Sequence, residues 1–225
     1  MTPATRARRL ALGLALLASL GAAGGDIPQA QLTLEVTPPG RPGRYPDAAP
    51  PRFVLLDGGR FFVGGSAEIA EGQLDPQEWK ELRKRLDRIR KLYTSSATFT
   101  FGTESTRYRL VLRQKATVEI VATGDPTASR EPIAGLIADL ASFDHPSLRF
   151  LAPEAYLLTA REGSLPGGCR PWAFPVTPAE ASAGVRSVPA SAARDWPTGV
   201  DAASVCAGDK RYIVTLRPLL PGERP

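Results

Sequence analysis

His145 is the only histidine in the 225 residues, so Ser-His-Asp or Cys-His catalysis would have to use it as the base. The nucleophile would have to come from across the fold, and no G-x-S-x-G elbow nominates one. The Asp144-His145-Pro146 setting reads more simply as a turn that stops a helix. Cys169 and Cys206 are the only cysteines, and in an oxidising compartment an even pair reads as one disulfide. The competing state is two buried thiols. Closing a loop of about 38 residues would stabilise by roughly 4 kcal/mol in the chain-entropy picture. Two thiols, one histidine and no C-x-x-C spacing do not assemble a zinc tetrad. The carboxylates have local explanations: Asp75 and Glu78 as helix caps, Asp57 and Asp125 in turns, and no D-x-D or calcium-loop spacing. They form no glycosidase pair. The expectation is therefore no catalytic residue, no metal and no cofactor.

Two constellations could bind rather than react. Lys80, Arg83, Lys84, Arg85, Arg88, Arg90 and Lys91 crowd one short stretch against only Glu81 and Asp87. Lys80, Lys84, Arg85, Arg88 and Lys91 are the candidate face for an anionic partner, such as an acidic wall polymer, lipid headgroups or an acidic protein. The competing role is a solvated helix surface. No aromatic interleaves with these cations to stack bases. Trp172 and Trp196 flank the two ends of the loop between the cysteines, each beside a proline, and are candidate recognition aromatics. The competing role is to pack around the cystine.

These residues must be carried by definable elements. Asp75 as N-cap, Pro76 at N1 and Glu78 at N3 start a helix that runs to about Tyr93. Trp79, Leu82, Leu86, Ile89 and Tyr93 form its apolar stripe. A second helix over about 132–143 buries Ile133, Leu136, Ile137, Leu140 and Phe143. Residues 52–56 and 60–63 form a hairpin around Asp57-Gly58-Gly59, read as a type I′ turn. Neither this turn nor Gly64-Gly65 leads into a phosphate-binding helix start. Residues 97–101, 107–113 and 117–122 alternate strongly and are joined by short connections, which predicts an antiparallel meander. Segments 148–151 and 155–159 are further candidate strands, and 212–216 is the last.

Residues 31–36 alternate as a first strand, either part of the domain or a docked arm across the Pro-rich connector 37–51. Segment 161–209 turns to Pro, Gly, Ala and Ser and reads as an irregular region clamped by the disulfide. Residues 218–225 read as a tail. One α+β domain over 52–217 is expected: an antiparallel sheet of about six strands, two helices on one face, and the long clamped C-terminal segment.

The address comes from residues 1–23, with Arg6, Arg8 and Arg9 ahead of a short apolar run from Leu10 and small residues at Gly21 and Ala23. That order predicts a secretory signal, cleaved before Gly24, and an exported chain, secreted or periplasmic. No later run approaches the ~20 apolar residues of a membrane helix. Without the signal the balance is 25 basic to 23 acidic residues, which makes no global case for nucleic acid. The 23 Arg against 5 Lys, with many Ala, Gly and Pro, read as a G+C-rich bacterial genome.

The hairpin with its DGG turn, the LDPQEWKELRKRL helix start, the meander, Pro171-Trp172 and the closing strand into LRPLLP follow one another over roughly residues 50–221. In that layout the chain resembles a lipoprotein-like group of uncharacterised exported bacterial proteins, although it has no lipobox cysteine. The resemblance implies an envelope address and carries over no functional residue. The function expected is a non-catalytic extracytoplasmic protein that binds or scaffolds an envelope or extracellular partner. The alternative is a secreted hydrolase with an atypical site near His145, and a third reading makes the basic helix a membrane-docking face.

Overall fold

Strands whose two faces are both apolar must be covered on both sides, and residues 53–56 (FVLL) are buried throughout. That requirement organises the molecule. The computed structural model describes residues 27, 30–39, 50–64, 68–103, 105–113, 116–197, 200 and 202–223. The signal expected at 1–23 and most of the Pro-rich connector lie outside the described residues.

In chain order the strands are β1 (Ala30–Thr37), β2 (Phe53–Leu56), β3 (Arg60–Val63), β4 (Ala70–Gln73), β5 (Ala97–Phe101), β6 (Arg107–Arg113), β7 (Thr117–Gly124) and β8 (Arg149–Phe150). They continue with β9 (Ala155–Glu162), β10 (Arg170–Pro171), β11 (Arg186–Pro189), β12 (Ala202–Ala207) and β13 (Lys210–Pro218). The helices are α1 (Pro76–Leu92), α2 (Pro132–Ala141) and the short α3 (Pro178–Ala183). The class is α+β, but the sheet exceeds the six strands expected. Eight strands run in the order β5-β7-β6-β1-β2-β3-β4-β8, and five more form a separate sheet, β10-β12-β13-β9-β11.

Both long helices cover one face of the large sheet. Leu86 and Ile89 of α1 and Ile133, Leu136, Ile137 and Leu140 of α2 pack on Leu32, Leu34, Phe53, Leu55, Phe61, Leu110 and Ile120. The capping box at α1 is complete: Asp75 accepts from the Gln77 and Glu78 amides, and Glu78 accepts from the Asp75 amide at 2.9 Å. The opposite face is covered by Ile27, Ile69 and Leu220, which bury Val54, Leu56 and Phe62.

Of the two places open to the first strand, the domain holds it: β1 is hydrogen-bonded to β2 on one side and β6 on the other. Several expectations require correction. The meander is broken, because β5 pairs with β7 in parallel while β6 and β7 are antiparallel. A short β5–β6 connection does not force neighbours when the next strand can insert between them. Gly124 permits the parallel closure, since a Cβ there would stand 2.0 Å from the Phe101 carbonyl oxygen. The Asp57–Gly59 link is a three-residue 3-10 turn with φ of +76° at Gly58 and +85° at Gly59, rather than a two-residue type I′ turn. Segment 161–209 is not irregular: it holds the end of β9, then β10, α3, β11 and β12. The C-terminal stretch is no free tail, for Leu220 and Glu223 are buried.

A polar network occupies the face away from the helices. Arg109 on β6 bonds Glu35 of β1 at 3.0 Å and takes Glu119 of β7 bidentately at 2.9 and 3.2 Å. Burial pushes the Glu35 carboxyl up, with Arg109 opposing it, whereas hydrogen bonds from Arg109 hold Glu119 down.

Candidate functional site

The turn after α2 brings His145 to the N-terminus of α1. Its ring packs against the Phe61–Phe143 pair, with centroids 5.4 and 6.1 Å away. The Ser147 backbone N–H donates to Nδ1 at 3.1 Å, so Nδ1 is bare and the ring proton sits on Nε2. Nε2 faces both Glu78 oxygens, at 3.1 and 3.2 Å. Ser147 Oγ stands 2.7 Å from Nδ1, donates to the Gln73 carbonyl oxygen at 3.1 Å and accepts from the Gln73 N–H at 3.0 Å.

Hydroxyl, imidazole and carboxylate thus stand in the bond order of a nucleophile, its base and the group that orients the base. Ser147 also lines a cavity of about 250 Å³ with Arg60, Glu71, Gly72, Gln73 and Arg149. Neither Ser147 nor Glu78 was singled out as a partner of His145 in the sequence. The His-x-Ser spacing is a local signal for the first, but Glu78 lies 67 residues away and reads there only as a cap. The same contacts also tie β4, α1 and the 144–148 turn together.

A larger groove, about 600 Å³, runs between the two sheets. Ile69, Phe150 and Leu151 form its wall from the large sheet, and Tyr156, Ala193, Trp196 and Pro197 form the other. Phe150, on the outer strand β8, is 68% exposed, unusual for a large apolar side chain. Arg194 also lines the groove, without an ion-pair partner among the described residues.

The tryptophans divide. Trp172 packs edge-on against Phe174 and Tyr212 and donates its indole N–H to the Val176 carbonyl at 2.7 Å, a packing role. Trp196 donates to the Val200 carbonyl at 2.9 Å and presents part of its ring to the groove. The Cys169–Cys206 disulfide is formed, joining the residue just ahead of β10 to the β12 residue that pairs with Pro171.

Along α1, Lys80, Lys84, Arg88 and Lys91 are exposed, but Arg85 leaves the basic face expected for it. Its guanidinium reaches Asp139 of α2 at 2.6 Å. Among the described residues no group of three or more His, Cys, Asp or Glu could hold a metal ion, and no helix is long and apolar enough to cross a membrane.

No family model, no curated protein and no solved structure matches the chain.

Proposed function

We infer that the protein is an extracytoplasmic binding protein whose site is the groove between the two sheets. Its occupant is an extended apolar segment of an envelope or extracellular partner. The observation that carries this is the groove itself, of a size that takes several side chains, walled by Phe150, Leu151, Tyr156 and Trp196. β8 ends the large sheet beside it, where an extended chain could add backbone hydrogen bonds, and Arg194 supplies a cation for an acidic residue of the partner. The disulfide and the predicted signal support the extracytoplasmic address.

Selection of displayed peptides on the protein at 0.5 M salt tests this. Enriched peptides are expected to be extended and apolar, and to shift Trp196 emission. Phe150→Ser, which alters an exposed side chain, and Ala193→Arg, which fills the groove, are each expected to weaken them at least tenfold. Absence of enrichment, or equal binding to the filled groove, overturns the reading.

The His145 geometry favours a second reading, a hydrolase. There Ser147 Oγ attacks a carbonyl carbon, its proton passes to His145 Nδ1, and Glu78 stabilises the imidazolium. The proton then goes to the leaving oxygen, and water releases the acyl group from Ser147. A fluorophosphonate probe at pH 8 is expected to modify Ser147, with labelling abolished by Ser147→Ala and slowed at least 100-fold by His145→Gln. An unlabelled Ser147 in the parent protein removes this reading and leaves the three residues as a structural tie.

A further inference from the structure

We propose that the outer face of α1 is a binding site for a linear polyanion, a flexible polymer carrying phosphate or carboxylate at short, regular intervals. Lys80, Lys84, Arg88 and Lys91 fall within an arc of about 80° on a helix of 100° per residue. Their axial separations are about 6, 6 and 4.5 Å, at 1.5 Å rise per residue. The four form a straight row roughly 16 Å long, with exposed Arg83 beside it.

None of these five cations forms an ion pair among the described residues, although neighbouring basic groups are engaged. Arg85 is taken by Asp139, and Arg90 by Asp87 and the Arg113 carbonyl. The arrangement therefore pairs the cations that lean toward the body of the protein and leaves the outward row unneutralised. The helix is fixed independently of that row, by its capping box and by Leu86 and Ile89 in the core. Like charges one turn apart disfavour the helix slightly, so the row is tolerated on an element anchored from its other side.

The shape selects the partner. A flat anionic bilayer laid on this side of the molecule would also meet Glu131 and Asp139 on and beside α2, both exposed. Leu92, 56% exposed at the end of α1, is a single apolar residue, short of the face with which an interfacial helix inserts. A narrow chain can follow the row between Glu81 and Asp87, which stand about 20° outside its arc on either side, without reaching the acids of α2. The row holds no aromatic side chain for base stacking, so recognition is of the charged backbone alone.

Fluorescence anisotropy with labelled inorganic polyphosphate between 50 and 200 mM NaCl tests this. Engagement of four or five cations predicts a log–log slope of about −3, or about 60-fold weaker binding at the higher salt. The variant Lys80→Gln/Lys84→Gln/Arg88→Gln/Lys91→Gln is expected to lose at least 50-fold in affinity at 50 mM with an unchanged unfolding midpoint. No binding, a slope shallower than −1, or an unaffected variant overturns the proposal. Vesicles containing 30% phosphatidylglycerol form the second arm: preference for vesicles over polymer at equal charge assigns the row to a membrane and overturns the polymer. The groove variants Phe150→Ser and Ala193→Arg leave this binding intact, so the two sites fail separately.

Discussion

Glu223→Ala is expected to lower the unfolding free energy by about 3–5 kcal/mol, the range for removing one partner of a buried ion pair. Arg217 and Glu223 have side chains only 2% and 0% exposed. The guanidinium binds both carboxylate oxygens, one at 3.0 Å, and also donates to the Pro218 carbonyl at 3.2 Å. Glu223 further accepts the Leu220 amide at 3.0 Å, which holds Leu220 in the core beneath the large sheet. Arg217 ends β13 of the small sheet, so the pair fastens one sheet to the other. Truncation would strand a buried cation, left with the field of the Glu35 carboxylate in place of a bonded partner. Replacing both residues, as Arg217→Met/Glu223→Leu, removes the stranded charge and is expected to recover most of the loss. Chemical denaturation of the three proteins measures it. A loss below 1 kcal/mol for Glu223→Ala would show that the stretch after β13 does not fasten the sheets.

This fastening was invisible in the sequence for a definable reason. Residues 217–225 are polar and Pro-rich, the composition of a tail, and only the pairing of Arg217 with an acid six residues on turns them inward. The capped and periodic elements were legible: α1 begins at the predicted Pro76, and α2 buries four of the five residues of the predicted stripe, Phe143 falling in the turn beyond it and only partly buried. β4 (AEGQ) and β12 (AASVCA) escaped because Ala, Gly and Ser carry little strand signal and their partners supply the burial. The insertion of β7 between β5 and β6 is a tertiary choice that local spacing does not encode. In the site, His145 was visible as a lone histidine, whereas its contact with Glu78 depends on two elements meeting. The groove was half legible: Trp196 stood out beside its proline, but Phe150 became conspicuous only when the fold left it uncovered.

Cys169→Ser/Cys206→Ser is expected to cost about 4 kcal/mol by the chain-entropy account for a 37-residue separation, and to do so unevenly. The large sheet's helix-side core gathers Phe, Leu and Ile from two helices and six strands. The small sheet's core is Leu158, Ala160, Ala181, Val188, Val205, Val214 and Leu216, with aromatics leaning on it. That is too little apolar volume to order its long connections unaided. β10 meets β12 through two residues only, and the Trp172 amide reaches the Cys206 carbonyl at 2.8 Å directly beside the bond. Ser204 takes the Leu165 amide at 2.7 Å, and Arg170 of β10 donates to the Asp195 carbonyl at 2.6 Å. Loss of the disulfide should therefore release β10 and the Trp172 packing before the large sheet yields. Tryptophan emission and far-ultraviolet dichroism are expected to report coincident transitions in the parent protein and to separate in the variant, with emission moving first. Hydrogen exchange would place the early opening in residues 163–176 and leave β1, β2 and β6 protected. Coincident transitions shifted by less than 1 kcal/mol would mean that the small sheet holds itself together. Since Trp196 and Tyr156 pack against that sheet's core and wall the groove, peptide binding should weaken with the same loosening, which makes the disulfide a support of the proposed site as well as of the fold.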